Sequence, residues 1–147
     1  MATSALGAFF LWPSYLTSFN FAPPFIESLV FCNILLALMG SVIGSITTSM
    51  IVHGKINMAD MVTGTLCGGI TAAPAGILVN PAPSILLGII SSAVCVLGYA
   101  KLSAIVESKL GMPDVAGSHN LHGITCVLAG IYSGLIFLFY HWVGVPE

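Results

Sequence analysis

The stretch Gly117-Ser118-His119-Asn120-Leu121-His122-Gly123 sets two imidazoles at the entrance of an apolar run, Ile124 to Tyr140. A polar group beside hydrocarbon must be paired or wetted, so such a residue is read first as functional. His119 and His122 stand at i, i+3 and share a face wherever the segment is helical. Neutral imidazole both donates and accepts a hydrogen bond and has an ordinary pKa of about 6.5, which suits it to hold or relay a small protonatable solute. Cys126, a further turn along, opens a metal-binding reading with the two histidines, but no Asp or Glu lies within the apolar runs to complete that site. A plainer reading makes them satisfied histidines at a helix entrance, since roughly 20 residues follow His122, enough to cross a bilayer. The glycines at 117 and 123 predict irregular or closely packed backbone around the histidines. Broken helix ends at membrane depth are tolerated only where they are buried in protein or line a cavity, and transporters bind solutes there.

Other chemistry is sparse. His53 and His141 fall at the ends of apolar runs and are expected at the interface. Phe19-Asn20 closes the first run after Trp12-Pro13-Ser14-Tyr15, an aromatic cluster of ordinary interfacial type. No nucleophile stands beside a base and an orienting group, and no Gly-rich phosphate loop follows a strand, so an enzyme is not expected.

Composition sets the solvent. Of 147 residues, 57% are hydrophobic and 5% charged, and the mean hydropathy is +1.05. Soluble domains carry about 25% charged residues, so this chain is a membrane protein. A net charge of −2 leaves no basic surface, which argues against nucleic acid as a partner. The four cysteines (Cys32, Cys67, Cys95, Cys126) sit singly inside apolar stretches, without CxxC spacing, and read as small helix-packing residues. Met1 to Leu11 has no basic n-region, and Trp12-Pro13 follows in place of a small-residue cleavage site, which argues against a secretory leader.

The elements that must position the histidines are five apolar runs, at about 3–21, 29–52, 61–79, 84–106 and 121–142. The predicted fold class is all-α, a polytopic membrane protein with five transmembrane helices in a single domain over 1–147. Pro13 predicts a kink in the first helix, and the third contains Pro74. Glu27, Lys55, Asp60, Glu107, Lys109 and Asp114 are placed in connectors, with Lys101 near a helix end, where its stem snorkels outward. All three lysines then fall on one side of the membrane, the cytoplasmic side by the positive-inside rule. Gly40-x-x-x-Gly44, Gly64-x-x-x-Gly68 and Gly130-x-x-x-Gly134 predict three helix faces that let backbones approach closely.

These stretches together resemble the ammonium transporter/Rhesus (Amt/Rh) family, its Rhesus branch in particular. The likeness runs through Phe10-Leu11-Trp12-Pro13-Ser14, Ser18-Phe19-Asn20, Gly54-Lys55-Ile56-Asn57-Met58 and Leu66-Cys67-Gly68-Gly69. It continues through Leu97-Gly98-Tyr99 and Glu107-Ser108-Lys109 to Asp114 and the His-Asn-Leu-His-Gly block. The resemblance implies the second of two inverted five-helix repeats, whose partner repeat completes a narrow hydrophobic pore in each subunit of a trimer. It implies that His122 is the second pore histidine, lying deeper than hydropathy alone places it. Phe19, beside Asn20, becomes one gating phenylalanine, and Asp114 the acidic residue ahead of the histidine block. Ammonia or ammonium is the implied permeant, with CO2 a second candidate gas and no cofactor. Thr125 and Cys126 stand where Rhesus members tend to have Pro-Gly. A single repeat would leave His122 and the pore face open, so the chain by itself is not expected to conduct. A non-transporting structural or assembly subunit built from such a repeat is the competing reading.

Overall fold

Proline, asparagine and glycine bound the apolar runs and decide where each becomes a helix. The computed structural model describes residues 2–18, 24–76, 80–111, 113–114 and 117–143, and among these the regular structure is entirely helical. Helix α1 spans Ala2–Thr17 and contains Pro13, which offers no N–H to the carbonyl a turn before it. Helix α2 spans Pro24–His53, starting on a proline and ending at Gly54, whose φ of +67° and N–H bond to the Met50 carbonyl (2.9 Å) close the last turn. Helix α3 spans Met58–Ala72, with the Asn57 side chain accepting from the Ala59 N–H (3.1 Å), and continues as a 3-10 turn over Ala73–Ala75.

The fourth rod is composite. Helix α4 (Pro81–Leu97) passes through a π turn at Gly98–Leu102 into α5 (Ser103–Leu110), which stops at Gly111 with φ of +66°. The fifth rod opens with a second π turn, Ser118–Ile124, and runs on as α6 (Thr125–Val143).

Five rods form, as the apolar runs predict, with altered boundaries. Among the described residues, Ile26–His53, Pro81–Lys109 and Ser118–Phe139 are the helices long and apolar enough to cross a membrane by length and composition. Helices α1 and α3, of 16 and 15 residues, fall short of the roughly 20 a span needs. The fourth rod reaches past 106 to Leu110, so Lys101 lies within a π turn rather than near a helix end. Glu27, Asp60, Glu107 and Lys109 likewise sit in terminal turns of helices, not in connectors.

The core is a three-helix block of α2, α3 and α4, and glycine makes it possible. A Cβ at Gly68 of α3 would lie 2.2 Å from the Ala37 carbonyl oxygen, and one at Gly88 of α4 only 2.0 Å from the same atom. Two helices therefore seat on one carbonyl of α2. Gly40 meets the Ile85 backbone, Gly44 the Ile89 backbone and Ser92 hydroxyl, and Gly64 the Ser45 side chain. Close approach brings hydroxyls within reach of neighbouring backbone: the buried Ser41 Oγ bonds the Thr65 carbonyl, and Asn33 Nδ2 donates to the Gly76 carbonyl (2.9 Å). In lipid these contacts and packing, not hydrophobic exclusion, hold helices together.

The third glycine pair behaves otherwise. No heavy atom lies within 4 Å of where a Cβ would stand on Gly130 or Gly134, and both are exposed. Among the described residues, nothing packs on their face of α6. Helix α6 instead uses Thr125, Ala129 and Tyr132, the last against Ala37, Ala72 and Leu87. Half of the apolar window of α2 is buried but only 17% of that of the last rod.

Candidate functional site

The histidine block sits in the second π turn, and backbone geometry explains why. Gly117 is left-handed, with φ of +73°, and a Cβ there would stand 2.6 Å from the Tyr99 hydroxyl. Its carbonyl accepts from both Leu121 N–H (2.9 Å) and His122 N–H (3.0 Å), and the second is the wider bond of a π turn. Irregular, closely packed backbone was the expectation from the two glycines, and Gly117 meets it in both respects.

Asp114 closes the start of this turn. Its Oδ1 accepts from the His119 N–H (3.1 Å), and its Oδ2 from the Asn120 N–H (2.9 Å) and Asn120 Nδ2 (2.8 Å). Burial disfavours the charged carboxylate. The Asn120 and His119 backbone bonds, the Asn120 amide and the nearby His119 ring outweigh it, holding the carboxyl below its usual 3.8.

Turn geometry then sorts the side chains. Asn120 and Leu121 are buried, whereas His119 and His122 are exposed on the opposite side. From His122 the exposed face runs on through Cys126, Gly130, Gly134 and Leu138 at successive fourth positions. Thr125, between them, is buried, and its hydroxyl bonds back to the Leu121 carbonyl. Among the described residues no three of His, Cys, Asp and Glu come together to hold a metal ion. The reading that joins His119 and His122 to Cys126 as ligands thus gains no support from the geometry.

Asp114, His119 and His122 are thereby brought into one turn, while Phe19 and Asn20 lie outside the described residues. His53 stands at the end of α2, as expected, and there pairs with Asp60. Its Nε2 lies 3.2 Å from Oδ2 of that buried carboxylate, which also accepts from the Ser49 hydroxyl (2.8 Å). Sequence reasoning named Asn120, Gly98 and Tyr99 within its motifs without giving them a place in the site and did not single out Ser103; all four pack around the turn. An amide between two histidines was the available signal for Asn120. That the other three belong to the same site shows only when the two π turns meet.

The sequence model of the Ammonium Transporter Family matches residues 1–144, nearly the whole chain. The chain belongs to that family. Among its relatives, Ammonium transporter Rh type C of Rattus norvegicus is 34% identical over 132 residues, covering 86% of this chain and 26% of its own length. Ammonium transporter Rh type B of Bos taurus is 31% identical over 137 residues, covering 89% of this chain and 30% of its own. A solved structure of Nitrosomonas europaea Rh50, described as bearing on conduction by the Rhesus family of channels, superposes with a TM-score of 0.85 at 30% identity. That match covers 90% of this chain and 35% of the Rh50 chain. The chain thus spans about a quarter to a third of the length of these relatives, and its helices form the corresponding part of an Rh-type channel fold. Family, fold and apolar helices together make it an integral membrane protein of the ammonium transporter family.

Proposed function

We propose that this chain is one five-helix repeat of an ammonia/ammonium channel, completed by a first repeat in the same polypeptide or on a partner chain. The observation that carries this is the match to Rh50 over 90% of the chain, with His122 exposed on the face that the other repeat would cover. In this reading ammonium loses its proton at the outer mouth, behind the gate to which Phe19 belongs, and neutral NH3 crosses past His122. A neutral imidazole suits the task because it donates to and accepts from a solute that does both. His119, at the start of the same face, lies toward the lysine-side mouth, and Asp114 fixes the turn. No cofactor is required, CO2 is a second small neutral gas that such a pore would pass, and the assembled channel is a trimer in the plasma membrane.

The test is methylammonium uptake by the assembled protein, normalised to its amount in the membrane. His122→Ala and Phe19→Asp are each expected to abolish uptake without lowering that amount; unchanged uptake in His122→Ala would sink the channel reading. The competing reading is a structural or assembly subunit that transports nothing. It predicts a silent His122→Ala and co-purification with a larger complex.

A further inference from the structure

The two π turns of this chain touch each other, and one side chain joins them. A π turn holds one residue more than the ladder wants, packs poorly by itself and is frequent at functional sites. Here the first turn, Gly98–Leu102, lies against the second, Ser118–Ile124. A Cβ at Gly98 would come 2.6 Å from Asn120 Oδ1 and 3.2 Å from Ile124 Cδ1, while Tyr99 packs against Gly117. Asn120 is wholly buried between them. Its Nδ2 donates to Ser103 Oγ (2.7 Å) at the start of α5 and to Asp114 Oδ2 (2.8 Å). Turning the amide over would set its carbonyl against that carboxylate, so its orientation is determined. Among the described residues its Oδ1 has no hydrogen-bond partner. That cost is tolerated only where the amide nitrogen is well used.

We propose that Asn120 is a positioning residue for His122: by joining Ser103 to Asp114 it locks the second π turn to the first, and so fixes the imidazole two residues along. Relevance to permeation rests on the channel reading above; the positioning itself does not. The clamp has three parts, each with one task. Ser103 accepts from the amide, Gly98 makes room for it, and Asp114 ties it to the backbone of 119 and 120.

The experiment uses the whole protein in membranes and reads the rate at which diethyl pyrocarbonate modifies His122, with His119 as internal reference. Uptake of methylammonium per molecule is measured across pH on the same preparations. Asn120→Ala is expected to change the His122 rate several-fold relative to His119 and to lower uptake about tenfold or more, as loss of a supporting partner commonly does. Asn120→Asp, which keeps the shape but sets a second carboxylate against Asp114, is expected to match it. Ser103→Ala is expected to shift the His122 rate in the same sense and Ser103→Thr to restore it, a pair that keeps the test open if Asn120→Ala does not fold. An unchanged His122-to-His119 ratio in folded Asn120→Ala, or in Ser103→Ala, overturns the proposal. So does an equal change at both histidines, which means general loosening. Failure of the channel reading shows separately, as uptake indifferent to His122→Ala, and leaves the modification result to stand on its own.

Discussion

Replacing Gly88 by alanine tests the central packing claim, because the same substitution at Gly134 meets open space. The new methyl at Gly88 would stand 2.0 Å from the Ala37 carbonyl oxygen, where ordinary contact begins near 3.4 Å, and the atom in its way is backbone. No rotamer can relieve that. Overpacking costs about 1–3 kcal/mol and occasionally more, and a backbone obstacle puts this site at about 3. Alanine gains about 1 kcal/mol over glycine in helix propensity, so the net loss is about 2 kcal/mol. Gly134→Ala keeps the propensity gain without the clash, and the two variants are expected to differ by about 3 kcal/mol, over 100-fold in the folding equilibrium. Reversible unfolding of the purified chain in mixed micelles, driven by a denaturing detergent and followed by helicity, reads this difference. Equal midpoints for the two variants, or a Gly88→Ala midpoint at wild type, would refute the seating of α4 on Ala37. Adding Gly68→Ala supplies a cross-check. Both methyls press on one oxygen, so the double variant should depart from the sum of the singles.

Other outcomes follow from the same structure. Asp114 is held ionised below its usual 3.8, so its contribution to stability is full above that pH and is lost as pH falls through the depressed value; Asp114→Asn should flatten this acid limb of the stability curve. Asn57→Ala removes the cap of α3 and should cost about 1 kcal/mol in the same unfolding assay. Cys32 and Cys126 are exposed and Cys67 and Cys95 buried, so a membrane-permeant maleimide should label the first two in the folded chain and all of them after denaturation, as read by mass. Labelling of Cys67 or Cys95 at the rate of Cys126 would contradict the packing of α3 on α4.

What the sequence makes legible here is set by the range of the interactions involved. Hydropathy locates five rods because lipid imposes one rule on every span. Gly40, Gly44, Gly64 and Gly68 were readable as contact residues because they lie between helices of one block. Gly130 and Gly134 have the same spacing and no neighbour among the described residues, since spacing reports what a face permits and not what occupies it. Irregular backbone was readable at the second π turn from its glycines but the π geometry of either was not, because whether Gly98–Leu102 or Ser118–Ile124 takes an extra residue per turn depends on contacts between segments far apart in sequence. For the same reason His119, His122 and Asp114 could be given roles from the sequence while the tie of Asn120 to Ser103 could not. Phe19 and Asn20 fall outside the described residues, and their role stands on resemblance alone.

The carbonyl of Ala37 also has a mechanical meaning. Helices α2, α3 and α4 meet there without side chains between them, and contact between main chains cannot be taken up by a change of rotamer. The three therefore respond to a load as one stiff body, and yielding falls to the parts joined to it through side chains. Helix α1 is seated through the Trp12 ring, which rests against Gly69, and α6 through Tyr132. Hinge or sliding motion in this chain belongs to those two outer rods, α6 yielding beyond the turn that Asn120 ties to Ser103. Amides in the middle of α2 should be the slowest to exchange with solvent, and those of α6 should exchange long before the stiff body opens.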